Sequence, residues 1–595
     1  MNLSPKKWAC VLLSIFAFPP LFAQVSSGKL SFQKLEYYKA TQEKASSVSG
    51  TPYVILIRTK EDLNALNGNV KRAIKNGRKR IEVRLGSGVY YYDRLTVYLC
   101  NINAQDVSLS IIGEPGGTIF VAGGKDFKNS QSLVNPSTDN IYLDARGELI
   151  DCYREVKQAS SSVEVLNEKK KECRMRIRED YPFVSGLKIQ LSEWYLSPEY
   201  EVTKIKGGYV YFIASNLTYD KAKKCYNVQY DNAIGAVNPR YRFLDPSIPV
   251  RQKSMIHECS VSQFMTLYRL RLKSISISGI QFVGCAKGLD SMCHLREVEA
   301  ERILVENCEF SYSNTLLFKL KNTDNFVFKG NKVKDCYYGA VNSAIDCSNT
   351  IVKDNVFYRV GKGWTNSSVV ACHGADFVVS DNTFEDFGYS AISTGYNHKW
   401  GSKRVTSGVI ENNEIFYGNV YFSNCEKYTL MDGGAVYVST LSDKIIIRYN
   451  YIHDYRGVRS NRAIYCDDGA MNVKIYGNVI RNIPGADAVF SWRAKSVNSK
   501  VPGSNDGICF FYNVIWGSYK LDERPNSSCI HGKNLILYAD GESVPKNELI
   551  NFKYQEKDAV FSGVQVADGK LVVPQSAMKE LKQFPTYEKM RQWLR

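Results

Sequence analysis

Two short phrases in the C-terminal half set carboxyl groups beside glycine: Asp432-Gly433-Gly434-Ala435-Val436-Tyr437 and Ala463-Ile464-Tyr465-Cys466-Asp467-Asp468-Gly469. Asp-Gly is ordinary turn chemistry, and either phrase alone reads as a turn. A pair of carboxyls can also protonate a leaving oxygen and activate water or attack carbon, which is what cleaving a glycosidic bond requires. Asp467, Asp432 and Asp468 are the acids these phrases offer for that work. Side chains suited to holding a sugar lie nearby in sequence: His373, Tyr437, Arg462, Tyr465 and Trp492, with Tyr396, His398 and Trp400 in a long intervening segment. Aromatic faces stack on sugar rings, and an Arg fork grips carboxylates or ring hydroxyls. His453 reads as structural.

These residues must be positioned by strands. Ala391-Ile392-Ser393-Thr394, Ala435-Val436-Tyr437-Val438, Ala463-Ile464-Tyr465-Cys466 and Ala488-Val489-Phe490-Ser491 read as one strand met in four coils. Alternation points Val436, Val438, Ile464 and Cys466 inward, and Tyr437, Ser439, Tyr465 and Asp467 outward. The same alignment puts His373, Ser439, Asp467 and Trp492 in one column, with Arg462 near the strand's other end. Asp467 follows Ile464 by three positions and Asp432 precedes Val436 by four. A straight strand would then part them by about 23 Å, against the roughly 5 to 9.5 Å of a glycosidase pair. Either Gly433-Gly434 bends Asp432 back, or the partner of Asp467 is Asp468 or another acid such as Asp487.

The strands belong to a repeat. Short alternating runs end at Asn307, Asn331, Asn355, Asn382, Asn412, Asn450, Asn478 and Asn513, in steps of 24 to 38 residues. Coils of this size are the unit of a parallel β-helix, each rung pairing with the rungs above and below. Asn suits such a corner because it tolerates left-handed backbone and its amide can bond stacked neighbours, so an Asn ladder is expected. Open ends would expose strand edges and core. Leu63, Leu66, Val70 and Ile74 fall at helical spacing ahead of Gly77 and supply one lid; Met578, Leu581, Phe584, Met590 and Leu594 are candidates for the other. From about Lys128 to Phe264 the rhythm breaks into a β-rich insertion.

Composition sets the context. The 595 residues are 44% hydrophobic and 23% charged, which fits neither a disordered nor a collagen-like chain. Lys6 and Lys7, an apolar stretch from Ala9 and small Ala23 before Gln24 have the layout of a cleavable signal peptide, and no later run is apolar enough to span a membrane. The expected protein is secreted or periplasmic. The net charge of +17, or +15 without the leader's two lysines, favours polyanionic partners. Export disfavours nucleic acid, leaving an acidic glycan or a merely basic surface. The 16 Cys include no Cys-x-x-Cys pair and read mostly as small buried apolar side chains.

The leader, the helix before Leu85-Gly86-Ser87-Gly88-Val89-Tyr90, the phrase Ile111-Ile112-Gly113-Glu114-Pro115-Gly116-Gly117 and the Asn-ended coils resemble secreted bacterial right-handed parallel β-helix proteins that act on carbohydrates. The two Asp-bearing phrases resemble signatures of β-helix glycoside hydrolases, family 141 in particular, with Cys466 where that motif usually carries Leu; the resemblance keeps Asp432 as partner to Asp467, which ranks first, with Asp468 as substitute. The resemblance covers most of residues 51 to 540 and implies an all-β, right-handed parallel β-helix with an N-terminal helical cap. The layout expected is signal peptide 1–23, linker 24–50, cap and first coils 51–127, inserted β-rich subdomain 128–265, groove-bearing β-helix 266–540 and C-terminal cap or tail 541–595. The expected activity is hydrolysis of a complex, possibly acidic polysaccharide by a monomer without metal or other cofactor. The same fold hosts polysaccharide lyases, which would need Ca²⁺ on Asp467 and Asp468 and a base such as Arg462, and non-catalytic glycan-binding surface proteins.

Overall fold

A computed structural model describes residues 50–595 apart from 93–96, 115–116, 123, 128–135, 145, 155–156, 193–196, 221–224, 230–231, 235–238, 252–255, 289–290, 364–366, 396–405, 419–432, 440–441, 456–461, 468–469, 484–486, 492–506, 523–529 and 553. The expected leader and nearly all of the linker lie outside these residues. The chain is an all-β, right-handed parallel β-helix, and its coils carry three short strands each. In one coil these are Val436–Val438, Ser442–Arg448 and Tyr451–His453; in the next, Ile464–Cys466, Val473–Tyr476 and Val479–Arg481. Like strands pair in parallel, Val436 to Ile464 and Tyr451 to Val479 in continuous register, while Thr406–Glu411 shifts register against Ser442–Arg448 between Thr406 and Gly408. Inward positions are mostly apolar: Val436, Ile464 and Val489 form one buried column, while the column of Cys372, Thr394, Val438, Cys466 and Ser491 includes buried hydroxyls. The cysteines whose side chains are described, such as Cys308, Cys372, Cys466 and Cys509, are buried and free.

The corner between second and third strands divides the work that sequence reading assigned to one residue. The rungs are Asn331, Asn355, Asn382, Asn413, Asn450, Asn478, Asn513 and Asn534. Asn413 is typical: its Nδ2 donates to Asn450 Oδ1 at 3.0 Å and to the Val379 carbonyl at 2.9 Å. Its Oδ1 accepts from Asn382 N and Nδ2 at 3.1 and 3.0 Å. Every donor and acceptor of the buried amide is used, which neither Asp nor an apolar residue could match. The left-handed backbone belongs to the residue before each rung: Asn307, Gly330, Asp354, Asp381, Asn412, Tyr449, Gly477, Tyr512 and Lys533 have φ between 51° and 65°. Asn307 and Asn412 therefore sit at the bend, and the rung positions beside them are Cys308 and Asn413. The ladder ends on Asp558, whose Oδ1 accepts from Asn534 N and Nδ2.

The N-terminal end is closed by the helix Lys60–Lys75, which starts at a Thr59–Asp62 capping box and buries Leu63, Leu66, Val70 and Ala73 against the first coils. The strand Val97–Gly113 pairs directly with Met265–Ser278, and Thr118–Ala122 with Ile280–Cys285, so the chain from Gly124 to Cys259 leaves the helix as an excursion. Its neck is the antiparallel pair Gly124–Phe127 and Ile256–Cys259, and its body is a seven-stranded antiparallel sheet with its own core. Arg242, fully buried, ties that body down: it donates to Gln190 within the insertion and to the Gly363 carbonyl on the coils, and its guanidinium lies 3.8 Å over Tyr153.

The C-terminal residues expected as the second lid lie along the flank instead. Leu581, Phe584, Met590 and Leu594 share a core with Tyr476, Phe511, Val514 and Leu535. The third strands present apolar residues outward there, so the tail buries more by lying along the coils than by covering their end. Polar bonds fix it as well. Tyr451 Oη and Arg481 Nη2 both donate to the Gly569 carbonyl, while Arg481 Nη1 pairs with Asp454 at 2.6 Å. Burial alone would raise the Asp454 carboxyl, but bonds from His453 and Asn482 and the Arg481 charge outweigh it and bring the pKa to about 2.

Two outcomes follow. Asn413→Leu strands the buried Asn382 donors and lowers stability by about 3 kcal/mol, read as a urea midpoint, whereas Asn412→Gly at the bend costs less than about 0.5 kcal/mol. Because the folded pKa of Asp454 lies below its unfolded value of 3.8, its contribution is present above about pH 4 and is lost as pH falls from there toward 2. Tail docking, followed by Trp593 fluorescence, should loosen over that window and do so less steeply in Asp454→Asn.

Candidate active site

The first strands of successive coils form the surface on which the sequence placed its candidates. The outward column runs Asn342, Ala371, Ser393, Tyr437, Tyr465, Phe490 and Lys520 in register. Small side chains thus precede an aromatic wall. Tyr437 and Tyr465 meet edge to face at 5.3 Å, and Phe490 continues the series 5.5 Å from Tyr465. Tyr389, just before the strand Ser390–Thr394, joins the other side, 6.2 Å from Tyr437. Outward does not mean exposed here, since Tyr437 retains 6% and Tyr465 3% of its surface. Mutual ring packing accounts for part of that burial, and the Arg462 guanidinium for more: it lies 4.1 Å over Tyr465 and 4.5 Å over Phe490.

Asp467 leaves the end of the strand Ile464–Cys466, its backbone N–H bonded to the Val438 carbonyl of the preceding coil. Its side chain is 8% exposed. One carboxylate oxygen accepts from Tyr437 Oη at 2.6 Å and the other from Tyr465 Oη at 2.9 Å. Two phenols on adjacent coils therefore orient a single acid, and alternation makes this possible because both tyrosines stand on its face of the sheet. With hydrogen bonds arriving at both oxygens, the group is held as an acceptor, which suits a base, nucleophile or electrostatic stabiliser.

The other candidates divide by place. His373, Ser439 and Asp467 do occupy equivalent strand-end positions, each N–H bonding one coil back, to Ser343, Thr394 and Val438. His373 stands three rungs from Asp467, about 14 Å at ordinary strand spacing, and so belongs to the same face without touching the acid. Asp487 is separated from the Asp467 column by five strand positions, about 16 Å, and accepts from Ser518 Oγ instead. His453 lies on the third sheet, between Glu414 and Asp454. Asp432, Asp468, Tyr396, His398, Trp400 and Trp492 lie outside the described residues. Gly433 and Gly434 stay alongside the preceding coil: Gly434 N–H donates to Ser390 Oγ, and a Cβ on Gly433 would stand 2.6 Å from the Tyr389 carbonyl. The close approach explains the glycine at 433, and the bend expected to bring Asp432 back lies outside the described residues. Phe490 and Tyr389 were not singled out from sequence; the register that gave Tyr465 also gives Phe490, whereas Tyr389 precedes its strand and carries no such signal. Among the described residues, no three His, Cys, Asp or Glu side chains converge as metal ligands.

No family model matches the chain, and neither does any curated protein. Solved structures similar to it include one described as a glycoside hydrolase (9% identity over 89% of this chain and 96% of that one, TM-score 0.40). Another is the A-module of the Azotobacter vinelandii mannuronan C-5 epimerase AlgE6 (12% identity, 85% and 96% covered, TM-score 0.41). A third is PfbA, a surface adhesin of Streptococcus pneumoniae (11% identity, 84% and 87% covered, TM-score 0.32). At such identities and TM-scores they carry no weight for the chemistry of this chain.

Gly433→Ala should cost about 1–3 kcal/mol, because the added carbon meets backbone rather than a yielding side chain. The displacement reaches Tyr389 and its Tyr437 neighbour, so near-ultraviolet circular dichroism should change along with the melting temperature.

Proposed function

We propose that this chain is a carbohydrate-active enzyme, a secreted hydrolase that cleaves glycosidic bonds along the outward face of the first strands. The observation that carries this reading is Asp467: a nearly buried carboxylate, gripped by two tyrosine hydroxyls, at the edge of an aromatic and guanidinium wall. In this reading Asp467 is the base or nucleophile, and Asp432 or Asp468 is the proton donor that the chemistry requires. Tyr437, Tyr465, Phe490 and Arg462 would flank the sugar rings, and His373 would meet a ring farther along the sheet. The net charge of +15 that is left without the leader's two lysines and the Arg462 guanidinium favour a glycan with acidic residues.

The test is a product assay of the full chain on plant and host polysaccharides, with and without a chelator, read by reducing ends and by absorbance of unsaturated sugars. The expected result is new reducing ends without unsaturation, insensitive to chelator, with a rate at least 10²-fold lower in Asp467→Asn at retained melting temperature. Unsaturated, chelator-sensitive products would replace the hydrolase with a calcium-dependent lyase. Binding without any product would make the chain a glycan-binding surface protein.

A further inference from the structure

A second polar groove lies on a different sheet. The third strands turn one side outward, and in the later coils those positions are the apolar Val514, Leu535 and Leu537, which the C-terminal segment covers. In the earlier coils the equivalent positions are Thr383 and Glu414. Where the surface changes from apolar to polar, the tail stands as a wall and leaves a groove of about 890 Å³. Its floor includes Asp381, Thr383, Asn412 and Glu414, and its wall includes Arg591, Gln592 and Trp593.

The lining is held in place from beneath. Glu414 is 35% exposed, and its carboxylate meets His453 Nε2 at 3.3 Å; His453 Nδ1 meets Asp454 at 3.0 Å, and Asp454 is paired with Arg481. The His453 ring stacks on Phe416 at 5.0 Å, so this chain of contacts is fixed by packing as well as by charge. Trp593 stacks on Tyr451 at 5.2 Å, and its indole N–H donates to the Tyr449 carbonyl. Among the described residues, the side chains of Thr383 and Asn412 have no hydrogen-bond partner, so their polar atoms are available to a ligand.

The chemistry of the lining selects a ligand class. The lining carries acids (Asp381, Glu414, Glu588) and bases (Lys589, Arg591, Arg595) in balance, with Arg591 paired to Glu588 at 3.1 Å and Asp381 to Lys353 at 3.5 Å, so neither an anion nor a cation is favoured by net charge. Acceptors, donors and an indole together suit a group that donates and accepts at once and has an apolar edge, which describes a sugar ring with vicinal hydroxyls. The volume is within the usual range for small-molecule sites. We propose that this flank groove is an accessory binding site for an uncharged oligosaccharide segment, separate from Asp467 and independent of whether Asp467 is catalytic.

The full chain would be titrated calorimetrically with xylopentaose, cellopentaose, mannopentaose and laminaripentaose. Thr383→Tyr fills the floor, Glu414→Gln removes its charge at constant shape, and Arg591→Ala trims a solvent-facing wall residue with little risk to folding. At least one pentasaccharide should bind, about tenfold more weakly in each groove variant and with unchanged affinity in Asp467→Asn. The proposal is overturned if none of the four binds, if the groove variants bind as the parent does, or if Asp467→Asn abolishes binding.

Discussion

From Asn331 onward each coil of this molecule turns a corner where backbone and side chain would otherwise bury unpaired polar groups, and a column of asparagine amides removes that cost. An amide carries two donors and two acceptor lone pairs on one short side chain, so each rung can serve the coil before it and be served by the coil after it. The gain per bond is modest, but the penalty for a missing partner is not, so the ladder acts chiefly by making any other register expensive. It also supports the left-handed residue ahead of each rung, including Tyr449 and Tyr512, whose side chains would not choose that backbone unaided. The last rung pairs with a carboxylate, Asp558, as fits a position with no further coil waiting for donors.

Register at this corner propagates around the coil. Because only the corner is pinned, intervening loops can vary, and successive rungs lie 21 to 37 residues apart without disturbing the pairing of the first strands. Residues far apart in sequence are thereby stacked at the spacing of adjacent strands. Tyr437 and Tyr465 reach one carboxylate, and Arg462 spans two rings, because the ladder holds their coils in phase. The candidate site is in this sense an output of a packing rule obeyed on another side of the solenoid.

The parts outside the regular coils follow the same economy of burial. The helix Lys60–Lys75 offers one apolar stripe and covers the first coils. The insertion has enough inward-facing residues for its own core and needs only a neck and a few anchors such as Arg242. The tail lies on the flank because the third strands there expose valine and leucine, and where those give way to Thr383 and Glu414 its cover stops. A change of residue type along one column is enough to create a groove.

Much of this was legible in the sequence. The recurring Asn-ended runs gave the solenoid, the spacing of Leu63, Leu66 and Val70 gave the cap, and period-two alternation gave the outward face of Tyr437, Tyr465 and Asp467, because these are local rules in which neighbours along the chain determine one another. What the sequence left open depended on neighbours across coils. It could not tell Asn412 from Asn413, since adjacent asparagines differ only in which one meets a stacked partner, nor could it show that two outward tyrosines bury themselves by closing on one acid. It placed the last apolar residues at an end rather than on a flank, because the stripe Leu581, Phe584 and Met590 records that something is covered but not what. Local periodicity therefore determined the elements and their faces, while the partners of each face were decided only when some twenty to forty residues of chain closed into each coil and brought distant side chains within bonding distance.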